Sequence, residues 1–347
     1  FRKFRFKSVR NLYLFKNYLL GDLKKCNKKL NFYAQVIKTI SVYFKSILLC
    51  THLEDFLNNK DLNNNVFTFY SFWFDDYSLG IALLKKINKS LKVNIGAHGK
   101  DLFEERHVGL RISFREENLK IIDKVLVCSK EGKNYLNNKY PLFKRKVTLL
   151  NTGIYDKSFF VKYSTDGKFR ILTLSRTHPV KRLDYFLKSL RDIENFSEFD
   201  IEYFHIGGGP ELIKLKKLKK SLLFNRFKIN FLGKISETEK DTFFKQNNID
   251  VFLNVSKSEG TSVSVVEALN YSIPVILTKV GGNISIGEFC KTSIKADFKS
   301  KDLYSFFKKI YFDKSYRETL RKLSRQYWSI FHDQKKIEKD ILNSFSK

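Results

Sequence analysis

The second half of the chain alternates short apolar runs with longer amphipathic stretches, and few folds accommodate that alternation. Strands are expected at residues 169–174, 201–206, 229–232, 250–254 and 274–278, with helices between them at 182–192, 211–222, 237–246 and 263–270. Strand, helix, strand at this spacing gives a parallel sheet covered by helices, an α/β doubly wound pattern. The first half repeats it less clearly. Strands are expected at 66–70, 93–96, 125–128 and 147–150, and helices at 79–86, 116–122 and 130–138. Residues 1–60 read as helical and supply no opening strand.

A chain of 347 residues fits two domains of ordinary size. We expect the first at residues 1–152. A linker follows at 153–167, where Gly153, Ser158, Ser164 and Gly167 mark a shift in composition. The second domain is expected at 168–326. A C-terminal helix at 327–347, with Trp328 and Phe331 as apolar anchors, is expected to pack back on the first domain. The chain begins with Phe and contains no Met, so a leading segment is expected to be absent and the first domain N-terminally truncated.

Four dispersed cysteines, Cys26, Cys50, Cys128 and Cys290, suggest neither a disulfide framework nor a zinc site. No apolar run approaches bilayer length, and Arg and Lys interrupt every short apolar stretch at the start, which argues against a signal peptide. The formal net charge is +29, and residues 1–50 hold twelve Lys or Arg against one acid, Asp22. Aromatics interleave with these cations in Phe1-Arg2-Lys3-Phe4-Arg5-Phe6-Lys7. Such a segment suits nucleic-acid phosphates, an anionic membrane face, or simply a solvated basic surface. No nucleic-acid-binding motif accompanies it, so no specific nucleic-acid partner is expected.

The chemistry concentrates between Glu259 and Glu267. Gly260 permits a tight turn after the strand at 250–254, and Thr261 or Ser262 suits a helix N-cap. The first amides of the next helix, from Val263, would then point into the crevice at the strand end, ready for a diphosphate. Eight helical residues span about 12 Å, beyond the carboxylate separation of a glycosidase pair.

This segment resembles the E-x7-E motif of retaining glycosyltransferases of glycosyltransferase family 4, which have the GT-B fold. The likeness continues through Ala268-Leu269-Asn270-Tyr271-Ser272-Ile273-Pro274-Val275-Ile276 and the turn Val280-Gly281-Gly282-Asn283. Upstream, Arg176 and Lys181-Arg182 resemble the family's phosphate-binding pair. His205-Ile206-Gly207-Gly208-Gly209-Pro210 resembles its glycine turn, and Phe231-Leu232-Gly233 its base-side strand. In the first domain, Gly96-Ala97-His98-Gly99-Lys100-Asp101-Leu102-Phe103-Glu104-Glu105-Arg106 resembles members that build bacterial surface polysaccharides, lipopolysaccharide or capsule.

The resemblance implies two Rossmann-like domains facing across a cleft, the first on the acceptor side and the second binding a nucleotide-diphosphate sugar. It implies donor binding by Arg176, Lys181, Gly260, Thr261, Ser262, Val263 and Glu267, and catalytic roles for Glu259, His98 and Asp101. It also implies retention of anomeric configuration, with neither metal nor cofactor. Asp75-Asp76 has the wrong spacing for a metal-binding D-x-D site. The expected partners are a nucleotide sugar, a glycan or lipid-linked acceptor and an anionic membrane surface, and the expected location is cytoplasmic, peripheral to the inner face of the cell membrane. A non-catalytic GT-B partner of an active transferase is the alternative, favoured by the lack of an opening strand and Gly-rich loop. A sugar epimerase shares the fold but would lack the spaced glutamates.

Overall fold

The computed structural model describes residues 2–59 and 67–346, so the expected strand residue Val66 and the first residue of the basic start, Phe1, lie outside the described residues. The chain divides into two units, residues 1–150 with 343–347, and residues 151–342.

The first unit opens with three helices, α1 (Arg2–Leu14), α2 (Lys16–Leu23) and α3 (Phe32–Asn59). Strands and helices then alternate as β1 (Thr68–Ser71), α4 (Asp76–Ile87), β2 (Lys92–Ala97), α5 (Arg115–Ile121), β3 (Lys124–Val127), α6 (Lys130–Lys139) and β4 (Val147–Leu149). The four strands are parallel and lie in chain order. Val93, Ile95, Val125 and Val127 are buried in a core closed by α3 and α4. Asp75 caps α4 by accepting from the Tyr77 amide, and Asp76 pairs with Lys45.

One expectation is corrected here. α3 runs for 28 residues and is long and apolar enough to cross a membrane by length and composition. Single Lys and Ser or Thr residues split it into short apolar runs in the sequence, whereas the helix sums them. Its inner face nevertheless belongs to the protein. Val42, Tyr43, Ile47 and Cys50 are buried in the core, the Tyr43 hydroxyl donates to the Leu12 carbonyl (2.7 Å), and Asn11 donates to Thr51 (3.1 Å).

The second unit continues with β5 (Lys168–Leu174), α7 (Leu183–Glu194), β6 (Asp200–Ile206), α8 (Leu212–Ser221), β7 (Lys228–Gly233), α9 (Glu237–Gln246), β8 (Val251–Asn254), α10 (Val263–Asn270) and β9 (Val275–Thr278). α11 (Asn283–Phe289), β10 (Ser293–Ile294), α12 (Ser300–Phe312), α13 (Lys314–Phe331) and α14 (Gln334–Ser346) complete it, with the last residues of α14 grouped with the first unit. Its six parallel strands lie in the order β10-β9-β8-β5-β6-β7. The chain therefore winds outward from β5 to β7, returns to β5's other side, and winds outward again. The reversal lies between β5 and β8, and ligands of doubly wound sheets bind beyond the strand ends at such a point.

Parallel strands covered on both faces bury nearly every side chain, which is why these runs are continuously apolar. On α7, Leu183, Phe186, Leu187, Leu190 and Ile193 recur at helical spacing and are buried. Each contributes about 1.5–3 kcal/mol relative to exposure. The segment at 153–167, expected as a linker, is bound into this unit. Ile154 bridges to Asp333, the buried Val161 donates to the Tyr271 carbonyl (3.1 Å), and Ser164 donates to Asp250 (2.9 Å).

Candidate active site

Two loops leave the sheet at its switch point. The loop after β5 carries Arg176, and Pro179 then starts a short 3-10 turn, Pro179–Lys181, that ends on Lys181. The loop after β8 runs from Val255 to the start of α10. The Lys257 amide donates to the Val180 carbonyl (2.8 Å), tying the two loops together.

Across them, Lys181 Nζ donates to Glu259 Oε1 at 2.5 Å. The same oxygen accepts from Ser256 Oγ (2.6 Å) and from Asn254 Nδ2 (3.1 Å). Glu259 is buried, and this convergence of one ammonium and two neutral donors compensates for removing its charge from water. In the sequence Asn254 reads only as the end of a strand, and Ser256 carries no assignment. Two polar residues closing an apolar run were the available signal.

Asn254 Nδ2 also reaches Ser262 Oγ (3.3 Å), and Ser262 Oγ lies 3.1 Å from Ser264 Oγ. Ser262 is the N-cap residue of α10, as expected, but makes no side-chain capping bond. Its hydroxyl is used sideways, so no cap competes with an anion for the first amides, those of Val263 and Ser264. Gly260 and Thr261 complete this approach. The left-handed glycine at this corner is Gly281, opposite Gly260, at φ +46°. A Cβ on Gly281 would lie 1.9 Å from the Glu259 carbonyl oxygen, and the Gly282 amide donates to the Gly260 carbonyl (2.8 Å). The Gly-Gly turn is thus the backing against which the Glu259 loop is set.

Glu267 sits elsewhere. Only Val263 onward is helical, so the 12 Å helical estimate between the two glutamates does not apply. Glu267 Oε1 accepts from Lys240 Nζ on α9 at 2.5 Å, and Lys240 also bonds Glu237 (2.8 Å). Burial pushes the Glu267 carboxyl up, and the Lys240 ammonium offsets part of that. Burial opposes the Lys240 charge, but its bonds to Glu237 and Glu267 outweigh it and raise its pKa. Lys240 had no sequence signal. The two glutamates therefore serve two separate ion pairs.

Lys240 lines an open cleft of about 520 Å³ together with Arg176, Lys234, Glu237 and the glycine turn at 207–209, a size suited to a small-molecule ligand. Gly207 takes φ +140°, and a Cβ there would lie 1.9 Å from the Ser175 carbonyl oxygen, so the turn presses directly on the Arg176 loop. Below it, the buried His205 accepts from or donates to Thr173 Oγ1 through Nδ1 (2.8 Å), and burial lowers its pKa to about 4.

In the first unit, the loops after β1 and β2 leave the same edge of the sheet. Asp101 is buried, and its two carboxylate oxygens accept from the Phe74 amide (2.9 Å) and the His98 amide (3.0 Å). Burial alone would raise the Asp101 carboxyl, but bonds from His98 and Phe74 outweigh it and hold it low. Asp101 thereby joins two strand-end loops through one backbone amide on each oxygen. His98 is the partly exposed member of the pair, stacked on Phe72 (4.6 Å between ring centres) and beside Trp73 (4.7 Å). Among the described residues, no cluster of His, Cys, Asp and Glu has the makings of a metal site.

Residues 155–326 match the family model of the glycosyl transferases group 1. The match spans most of the second unit, residues 151–342. The match takes in Arg176, Lys181, Glu259 and Glu267, together with both loops at the switch point. Over 247 residues the chain is 26% identical to Protein CapJ of Staphylococcus aureus, covering 68% of this chain and 60% of CapJ. Among solved structures it is similar to the lipopolysaccharide outer core galactosyltransferase WaaB, with a TM-score of 0.68 and 14% identity over 88% of this chain and 81% of WaaB. It is also similar to Anabaena Alr3699/HepE in complex with UDP and glucose, with a TM-score of 0.63 and 17% identity over 81% of this chain and 77% of HepE. With its two parallel-sheet units, the chain has the GT-B fold.

Proposed function

We propose that the protein transfers a sugar from a nucleotide-diphosphate donor to a glycan or lipid-linked acceptor in cell-surface polysaccharide synthesis, with retention at the anomeric carbon. The observation that carries this reading is the Lys181–Glu259 ion pair at the switch point of a unit that matches the glycosyl transferases group 1 model, beside an uncapped helix start. The Anabaena neighbour holds UDP and glucose, and WaaB is a galactosyltransferase of the lipopolysaccharide outer core; both support the substrate classes. We assign the reaction to the inner face of the cell membrane, where lipid-linked glycans are extended.

In this reading the diphosphate lies on the first amides of α10, reached through Gly260, Thr261, Ser262 and Val263. Arg176 and Lys181 supply the compensating charge, and the proposal assigns no step to a metal. An ammonium has three donors, so Lys181 can keep its bond to Glu259 while donating to a phosphate oxygen. Glu259 holds Lys181 in place and receives sugar hydroxyls, and Glu267 faces the ribose. His98 contacts the sugar or orients the acceptor, with Asp101 fixing its backbone. The bond from the anomeric carbon to the phosphate oxygen breaks while the acceptor oxygen bonds the same carbon from the same face. The acceptor's proton passes to the departing phosphate, whose charge the two cations and helix amides stabilise.

The test is a panel of UDP-, GDP- and dTDP-sugars with polyprenyl-diphosphate-linked glycans as acceptors, read by released nucleoside diphosphate and by NMR of the product. Turnover with one donor class and an unchanged anomer is expected. An inverted anomer would overturn the mechanism. Failure to bind any donor would favour the non-catalytic partner instead.

A further inference from the structure

We infer that the outer face of α3 is a docking surface for an anionic lipid membrane. This deepens the membrane assignment above, and it rests on residues other than the basic start that suggested that assignment. Tyr33, Ile37, Ile40, Phe44 and Leu48 are 81%, 68%, 36%, 48% and 48% exposed. At about 100° per residue they fall within an arc of about 80°, opposite the buried Gln35, Thr39, Val42 and Ser46, and extend about 22 Å along the helix. Five large apolar side chains aligned on one exposed stripe differ from the scattered exposed hydrophobics of an ordinary surface.

The geometry favours a helix lying on a bilayer over one crossing it. The inner face carries the buried polar residues Gln35, Thr39 and Ser46 together with Val42 and Tyr43, and beyond the stripe Thr51 is buried against α1. Ser46 donates to the Asp76 carbonyl (2.9 Å), and Asn11 donates to Thr51. Removing α3 to span a membrane would break this packing and expose these groups to hydrocarbon. One face is therefore committed to protein while the other remains uncovered, the amphipathic arrangement of an interfacial helix.

Charge selects the occupant. Lys28 and Lys29 are exposed just before the stripe, and Lys45 flanks it. With these cations beside it, two copies of this face repel one another, whereas an anionic leaflet attracts it. A nucleic acid would satisfy the lysines and leave the apolar stripe in water. Anionic lipid satisfies both parts, with headgroups on the lysines and acyl boundary on the stripe.

The test uses the full chain and vesicles, without any nucleotide sugar, so its failure is distinguishable from failure of the transfer reading. Sedimentation is measured with vesicles of phosphatidylcholine and phosphatidylglycerol, and of phosphatidylcholine alone. We expect binding to the anionic vesicles, weakened at least about tenfold by Ile37→Glu with Phe44→Glu. Ile213→Glu, an equally exposed apolar position on α8, should leave binding intact. Lys28→Glu with Lys29→Glu should remove the preference for phosphatidylglycerol. Thermal unfolding and sedimentation velocity of each variant complete the comparison. Vesicle binding that survives the stripe substitutions overturns the inference. So does a wild-type dimer abolished by the same substitutions, which assigns the face to a second copy. A lowered melting temperature with no change in vesicle binding also overturns it, since the face is then covered by the chain itself.

Discussion

Lys181→Ala lowers sugar transfer by about 100- to 1,000-fold and leaves the second unit folded. The rate figure is the typical cost of removing one preorganised donor from a developing anion. Lys181 is well placed to be such a donor, since its Nζ is fixed at 2.5 Å from Glu259 Oε1 on a turn that the Lys257 amide locks to the neighbouring loop. Stability falls less because Glu259 keeps Ser256 and Asn254. Loss of one bond to a mostly buried carboxylate costs about 1–3 kcal/mol, and the partial exposure of Lys181 sets it toward the lower end. Lys181→Arg restores charge but not shape, because a planar fork replaces a compact ammonium. It should recover the melting temperature more fully than the rate. Near wild-type turnover in Lys181→Ala, measured on protein with a cooperative thermal transition, would remove Lys181 from the reaction.

Gly281→Val has the second large effect, and here folding and activity suffer together. A side chain at φ +46° is strained, and its first carbon would meet the Glu259 carbonyl oxygen at 1.9 Å and the carbonyl carbon at 2.9 Å. These are backbone atoms that cannot rotate away, so the Glu259 loop or the turn must move. A cost of about 2–4 kcal/mol is expected from strain and overpacking combined. Displacement of Glu259 by even 1 Å reduces turnover by about 100-fold. Gly208→Ala is the control. Its added carbon would sit 3.6 Å from the nearest side-chain atom, an ordinary contact, and thermal unfolding should be close to wild type. Equal melting temperatures and equal rates for Gly281→Val and wild type would show that the turn does not set the loop.

The two variants probe features of unequal visibility in the sequence. The second unit was legible because buried parallel strands are continuous apolar runs and its helices carry a regular buried face. α9 and α10 have the expected bounds, 237–246 and 263–270. β10 was missed because a two-residue strand has no periodicity. α3 was underestimated because Lys38 and Lys45 interrupt its apolar runs in the sequence yet occupy one flank of the helix. The spaced glutamates were visible, but their separate partners were not. Lys240 lies 27 residues before Glu267, and only the packing of α9 beside α10 brings them together. Asp101 shows the opposite limit. A His-Gly-Lys-Asp run resembles a ligand site, and nothing in it announces that the Asp101 carboxylate also accepts from two backbone amides. Short-range pattern located the strand ends. Long-range pairing decided which residues there remain available for chemistry.

In the proposed function the switch point of the second unit binds a nucleotide-diphosphate sugar through Lys181 and the Glu259 loop. Calorimetric titration of a panel of nucleotide sugars into the wild-type chain and Lys181→Ala tests it most directly, because it needs no acceptor. Saturable binding of one donor class is expected, weakened at least about tenfold, or 1.4 kcal/mol, by the substitution. Absence of binding across the panel, or equal affinity in the two proteins, would contradict it.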